Sequence, residues 1–270
     1  KLSYGEILQE ECFYRDNLRT AKCEYLYISD GSPAHVRPHF TFYGFRYVKV
    51  EGVTDVKAED FTACHIRSDI DPIGSIETGN TEVNQLFQNA MWGQFDNFLD
   101  IPTDCPTRER AGWTGDMGVF IETGLTLMDC YPVVEKWLAE CRLNQYPDGR
   151  MANIAPPTSR PGYMTPMLCM SAGWGDAAIL VPYALYKRTG DRKILADNYE
   201  MMQKWYAFLL GRAQQTTEEQ QTGAYAKYTV LNGLDYGEWC EPGITPMQAM
   251  MNPRKSAVSY THLTLPTILR

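Results

Sequence analysis

The spacing of hydrophobic and polar positions changes once along this chain, near residue 80. Before that point, short runs interleave aromatic or branched residues with polar ones: Tyr25-Leu-Tyr-Ile28, Phe40-Thr-Phe-Tyr43, Phe45-Arg-Tyr-Val-Lys-Val50 and Phe61-Thr-Ala-Cys-His-Ile66. Asp30-Gly31, Pro33, Pro38 and Gly52 punctuate them, so residues 1–75 predict short antiparallel strands of a sandwich or of its surviving half. Ile73-Gly-Ser-Ile-Glu-Thr-Gly79 reads as a hinge. From Asn80 onward Val83, Leu86, Phe87, Ala90, Met91 and Phe95 recur at three- and four-residue steps, which predicts a helix running to about Phe98 and capped by Asn80 or Thr81. Further helices are expected over about 116–128, over 132–144 with Pro132 in the first turn, over 177–187 ending at Thr189-Gly190, and from Asp191 to about Leu210. A proline-rich stretch, Tyr146 to Tyr163, separates the third from the fourth; a loop of that length argues for a functional role. Thr216 to Gln221 is a polar, solvated connection, and no strand alternation returns after residue 80.

One stretch fits neither period. Asp104-Cys-Pro-Thr-Arg-Glu-Arg-Ala-Gly-Trp-Thr-Gly-Asp116 holds three carboxylates, two arginines and a tryptophan, with only Cys105, Pro106, Ala111 and Trp113 suited to burial. It reads as a loop between helices, given backbone freedom by Gly112 and Gly115 and steered by Pro106. Such a loop has what a sugar site requires. Carboxylates accept hydrogen bonds from hydroxyls, arginine donates in a fixed fork, and an indole covers the apolar face of a pyranose. Composition alone leaves a solvated turn with local ion pairs equally open.

The rest of the composition narrows the class. At 270 residues the chain predicts two domains or a piece of something larger. The net charge is −8 and no basic run occurs, so a nucleic-acid partner is not expected. Lacking a stretch of roughly twenty apolar residues, it is not expected to form a membrane-spanning helix. Cys12, Cys23, Cys64, Cys105, Cys130, Cys141, Cys169 and Cys240 make no C-x-x-C pair, which favours free thiols over a disulfide framework. His35 and His39 fall in a proline-rich loop or strand edge rather than on a helix, so zinc is not expected there. Neither a nucleophile elbow nor a phosphate loop is present, and Cys105 has no neighbouring histidine. No cofactor is expected. The first residues carry no initiator Met and no signal-peptide pattern, so the reading frame is expected to extend upstream, and the compartment stays open between cytoplasm and periplasm.

The segment 104–116 resembles the signature of the bacterial α-L-rhamnosidases, glycoside hydrolase family 78, in its shorter form. Phe42-Tyr-Gly-Phe-Arg-Tyr-Val-Lys-Val50, Ala172-Gly-Trp-Gly-Asp-Ala177 and Tyr236-Gly-Glu-Trp239 resemble the same family in the same order, so the likeness spans nearly all of residues 1–256. It implies the tail of a β-sandwich domain over 1–76, followed over 77–256 by the first half of an all-α (α/α)6 toroid, of which the chain supplies about five helices. Matching the signature residue by residue, Glu109 falls on the family's general acid. Asp104, Arg108 and Asp116 fall on residues that hold rhamnose hydroxyls, and Trp113 falls on an aromatic wall. Trp174 and Trp239 resemble two further pocket tryptophans, whereas Asp176 reads as a helix cap before it reads as a ligand.

The implied reaction is hydrolysis of terminal α-L-rhamnosyl groups of plant glycosides or bacterial polysaccharides with inversion. That chemistry needs an acid and a water-activating carboxylate about 6.5–9.5 Å apart. The resemblance implies that the base is a glutamate downstream of this chain; Glu238 and Glu241 match no such position, and the chain alone is expected to be inactive. Two other readings remain at this point: a toroid glycosidase of the glucoamylase or trehalase type, and a carbohydrate-binding fragment without catalysis. Residues 258–267, Val-Ser-Tyr-Thr-His-Leu-Thr-Leu-Pro-Thr, match the translation of a transposon adapter used in sequencing libraries, so 257–270 is expected to be an artefact.

Overall fold

The computed structural model describes residues 1–157, 169–215, 230, 235, 236 and 243. Trp239, Glu238, Glu241, the expected connection Thr216–Gln221, the end of the Tyr146–Tyr163 loop and the segment 257–270 lie outside the described residues.

The N-terminal layer is β, with strands in two of the expected runs, at Tyr25 and at Tyr47–Val50, and further strands before them. Strand β1 (Leu2–Gly5) is the centre of an antiparallel sheet, with β4 (Glu24–Tyr25) on one side and β5 (Tyr47–Val50) on the other. Leu2 sits opposite both Tyr25 and Val50, and Gly5 opposite Tyr47. A separate hairpin joins β2 (Ile7–Gln9) to β3 (Cys12–Tyr14). Its two turn residues, Glu10 and Glu11, have φ of 48° and 62°, the left-handed pair that a two-residue hairpin demands. The expected strands at 40–43 and 61–66 do not form. Phe40 takes φ 58° and is fully exposed, and Phe61 and Ile66 are exposed as well. Alternation prepares one face of a strand but cannot supply the neighbour whose N–H and C=O groups would complete the ladder.

The helices follow the sequence closely. Helix α1 (Thr81–Asn97) starts at Asn80, whose Oδ1 accepts the N–H groups of Glu82 (2.9 Å) and Val83 (3.3 Å). A short hairpin, β6 (Phe98–Leu99) and β7 (Ile101–Pro102), leads into the loop 103–113. Then come α2 (Thr114–Leu127), α3 (Tyr131–Leu143), α4 (Ala177–Thr189) and α5 (Arg192–Gln214). Gly190 ends α4 at φ 73°, and Asp191 begins α5 by accepting the Lys193 N–H (2.8 Å).

Helix α4 packs between α2 and α5, and α3 lies against both α4 and α5. Their shared core holds Met117, Ile121, Leu125, Val134, Trp137, Leu138, Val181, Leu185, Met202, Trp205 and Leu209, all buried. Each such side chain contributes about 1.5–3 kcal/mol by leaving water. The apolar stripe of α1 is only half used: Met91 is buried, Phe87, Ala90 and Phe95 pack against the core, and Val83 and Leu86 are exposed. The hinge is docked against the α2–α3 connection. Ile73 N–H donates to the Leu127 carbonyl (2.9 Å), and a Cβ on Gly74 would lie 2.4 Å from the Thr126 carbonyl oxygen.

Candidate active site

The loop 103–113 is closed on itself before it meets anything else. Asp104 N–H donates to the Ala111 carbonyl (3.1 Å), and the Ala111 N–H returns the bond to Asp104 Oδ1 (3.0 Å). One oxygen of Asp104 therefore holds the loop while the residue still faces the cavity. Two glycines then allow close approach. At Gly112 a Cβ would lie 2.1 Å from the Ala155 carbonyl oxygen, the same oxygen that accepts the buried Trp137 indole N–H (2.8 Å). At Gly115, in the first turn of α2, a Cβ would stand 2.7 Å from the Trp174 ring. Only glycine lets that indole lie against the helix start.

The N-terminal layer grips the outer side of this loop. Arg110 donates to the Phe42 carbonyl (2.6 Å), and its guanidinium stands 5.2 Å from the Phe42 ring. Gly44 N–H donates to the Pro106 carbonyl (3.2 Å), and the Cys23 thiol to the Thr107 carbonyl (3.6 Å). Arg19 forms an ion pair with Glu109. The motif Phe42–Val50 thus acts on the site indirectly, by bracing the segment 106–110.

On the inner side lies a cavity of about 780 Å³ between α1, the loop, the start of α2, and the turn before α4. Asp104, Trp113, Asp116 and Trp174 line it, so four of the expected site residues share one concavity. Asn97 and Thr103 add polar atoms along the α1 side. Glu109 and Arg108 are not among the lining residues. Glu109 sits behind Trp113 and accepts its indole N–H on Oε2 (2.9 Å). Arg108 is exposed and makes no hydrogen bond or ion pair among the described residues. Trp239 lies outside them.

Asp116 is the electrostatically unusual member. Its carboxyl is pushed up from 3.8 to about 6, first because the surrounding protein displaces water, then by the Asp104 carboxylate and, more weakly, by Glu109. Water still reaches the side chain from the cavity mouth, but the walls and floor are protein. Its own backbone N–H pulls the other way and loses. Near pH 6 this carboxyl is partly protonated, so it can both donate to and accept from a hydroxyl.

The two indoles are set by residues outside the signature. Tyr236 stands edge-on to both, its ring centroid 4.7 Å from Trp174 and 5.9 Å from Trp113. Trp239, the expected wall of that motif, lies outside the described residues, and Tyr236 is the motif's residue seen against both indoles. Asn153 is fully buried; its carbonyl accepts the Thr114 N–H (2.9 Å) and its Oδ1 the Ser171 N–H (3.2 Å). It ties the start of α2 to the turn that carries Trp174. A lone asparagine in the apolar run Met151–Ala155 was the available signal, because a buried amide must find partners. Arg19 left no signal in the sequence. Asp176, expected as a helix cap, occupies the N-cap position and its carbonyl accepts the Ile179 and Leu180 N–H groups (2.9 Å each), but its side chain does not cap the first turn of α4. Its Oδ2 accepts the Gly173 N–H (2.7 Å) and its Oδ1 the buried Trp205 indole N–H (2.9 Å).

Residues 71–263 match the family model of the bacterial alpha-L-rhamnosidase 6 hairpin glycosidase domain, and residues 1–67 that of the bacterial alpha-L-rhamnosidase concanavalin-like domain. An alpha-L-rhamnosidase of Alteromonas sp. (strain LOR) is 34% identical over 246 residues, 89% of this chain and 25% of the relative. The crystal structure of Streptomyces avermitilis alpha-L-rhamnosidase complexed with L-rhamnose superposes with a TM-score of 0.74 at 30% identity, covering 97% of this chain and 24% of that one. The alpha-L-rhamnosidase structure from Dictyoglumus thermophilum gives 0.79 at 27% identity, covering 97% and 28%. The chain therefore spans about a quarter of the length of the proteins it matches.

Proposed function

Since the chain belongs to the bacterial α-L-rhamnosidase six-hairpin glycosidase family, we propose that it carries the rhamnose-holding and proton-donating side of an inverting α-L-rhamnosidase. The observation that carries this reading is the convergence of Asp104, Asp116, Trp113 and Trp174 on one cavity, with Glu109 bonded directly to one of its walls. Carboxylates beside indoles suit a deoxy-pyranose, which offers hydroxyls at its edge and an apolar face and methyl group to the rings. The substrates are terminal α-L-rhamnosyl groups of plant glycosides or bacterial polysaccharides.

In this scheme Glu109 protonates the departing glycosidic oxygen, and a carboxylate outside residues 1–270 activates the water on the opposite face. Trp113 orients the acid through its N–H on Oε2. Oε1 must leave Arg19 before it can face a leaving group. The arginine side chain is 59% exposed, and opening an exposed pair costs about 0–1 kcal/mol, small beside the contribution of general acid catalysis. Arg108 is assigned a sugar hydroxyl, with its side chain swinging in from its exposed position.

Glu109→Gln, made in the longest gene product that contains this chain, tests the acid. Hydrolysis of a natural flavonoid rhamnoside should fall ~10²–10⁴-fold, whereas an activated aryl rhamnoside, whose leaving group needs no proton, should lose far less. Equal losses on both substrates would remove Glu109 from the role.

A further inference from the structure

The turn that carries Trp174 is held from two sides by buried charge. On one side Arg212, in the last turn of α5, pairs with Asp235 at 2.6 Å, the two side chains being 6% and 13% exposed. Asp235 Oδ1 accepts the Ala172 N–H (2.6 Å), and Arg212 also donates to the Met170 carbonyl (2.9 Å). Next in sequence, Tyr236 donates its N–H to the Ser171 hydroxyl (3.1 Å) and sets its ring edge-on against the indoles of both Trp113 and Trp174. The residue is 5% exposed, too buried to serve as a sugar platform itself. On the other side Asp176 ties Gly173 to Trp205. These bonds hold residues 170–173, immediately before Trp174, to elements that come much later in the chain.

This arrangement is costly unless it has a task. A buried arginine–aspartate pair gives up hydration on both ions, and apolar residues of similar size would often hold the fold as well. What an apolar replacement would not provide is direction: the Asp235 oxygen fixes one backbone N–H, and the adjacent ring fixes two indole planes at once. We propose that Arg212, Asp235 and Tyr236 form a positioning clasp that sets the separation of the Trp113 and Trp174 walls and through it how tightly the site holds a pyranose. The clasp rests on the reading of Trp174 as a wall of the rhamnose site. None of its members touches the sugar; they act through the indoles.

Calorimetric titration of L-rhamnose into the longest gene product that contains this chain separates a clasp from a merely structural role. Loss of folded protein lowers the binding stoichiometry, and misplacement of the walls raises Kd. Asp235→Asn, nearly the same shape without the charge, and Tyr236→Ala should each raise Kd about 10-fold with stoichiometry kept, in line with the sensitivity of sites to small displacements. Tyr236→Phe retains the ring and loses only the hydroxyl's bond to Asn153, so its Kd should lie well below that of the Ala variant. If Asp235→Asn does not fold, the tyrosine pair decides alone. An unchanged Kd in Tyr236→Ala, or a Phe variant as weak as the Ala one, overturns the clasp. An unchanged Kd in Trp174→Ala instead overturns the wall reading beneath it.

Discussion

The two halves of this molecule solve the same problem with unequal means. The helical part, 81–215, buries a continuous core from Met91 to Ala213. The N-terminal layer buries Tyr4, Leu18 and Cys23, while Leu26, Ile28, Phe40 and Val53 stand well exposed. Yet the layer with the smaller core supplies the braces of the signature loop, through Arg19, Cys23, Phe42 and Gly44. Stability and site geometry are therefore divided between the halves: α2–α5 hold the fold, and the β layer holds the outer edge of the signature loop.

That division is open to attack by substitution. The greatest loss is expected at Trp205, buried between α5 and the turn before α4, where replacement by Ala removes a large ring and one hydrogen-bond donor to the Asp176 carboxylate. Urea unfolding should show a loss of about 3–5 kcal/mol, whereas Phe40→Ser in the β layer should stay within about 0.5 kcal/mol. Equal losses at the two sites would erase the contrast. Gly112→Ala comes next. Its Cβ would have to displace the Ala155 carbonyl, and overpacking of this kind costs about 1–3 kcal/mol, visible as a lower urea midpoint at constant slope.

Removing the Arg110 brace should cost less in stability, about 0.5–1.5 kcal/mol for the bond to Phe42. Its signature is local: amide exchange in 104–111 should quicken in Arg110→Met while the core of α4 and α5 stays protected. Uniform quickening would mean that the β layer supports the whole fold.

The smallest effect concerns pH. The Asp116 carboxyl lies higher in the folded chain than its ordinary 3.8, at about 6, so the folded state binds the extra proton between those values. Stability contributed by that proton is present below about pH 4 and is lost as pH rises to about 6. Water in the cavity screens the group and keeps the effect small. Asp116→Asn should flatten this part of the stability–pH curve, and a wild-type curve that rises with pH by the same amount as the variant's would contradict the assignment.

Much of this was legible in the sequence, and unevenly so for a physical reason. A helix pairs its backbone within itself, so Asn80, Pro132, Gly190 and Asp191 mark real boundaries from local chemistry alone. A strand needs a neighbour from elsewhere. Phe40–Tyr43 has strand chemistry but no partner among the described residues, while Leu2–Gly5 becomes the central strand because Tyr25 and Val50 reach it. The site divides in the same way. The signature placed Asp104, Trp113 and Asp116 together because one short loop runs straight into the first turn of α2, and Trp174 joined them through its own motif. Arg19 escaped because it meets Glu109 across 90 positions of sequence, and Arg212 with Asp235 because a lone charge in a helical pattern reads as solvated.

The most direct measurement of the central claim is hydrolysis of paired chromogenic substrates by the longest gene product that contains this chain. Turnover of an aryl α-L-rhamnoside is expected, none of the matching α-D-glucoside, and losses of at least ~10²-fold in kcat/KM for Asp104→Asn and Asp116→Asn, each of which takes the charge from a carboxylate lining the cavity. Turnover of the glucoside, or near-normal rhamnoside cleavage by both aspartate variants, would mean that the cavity beside the signature loop is not where this protein holds its sugar.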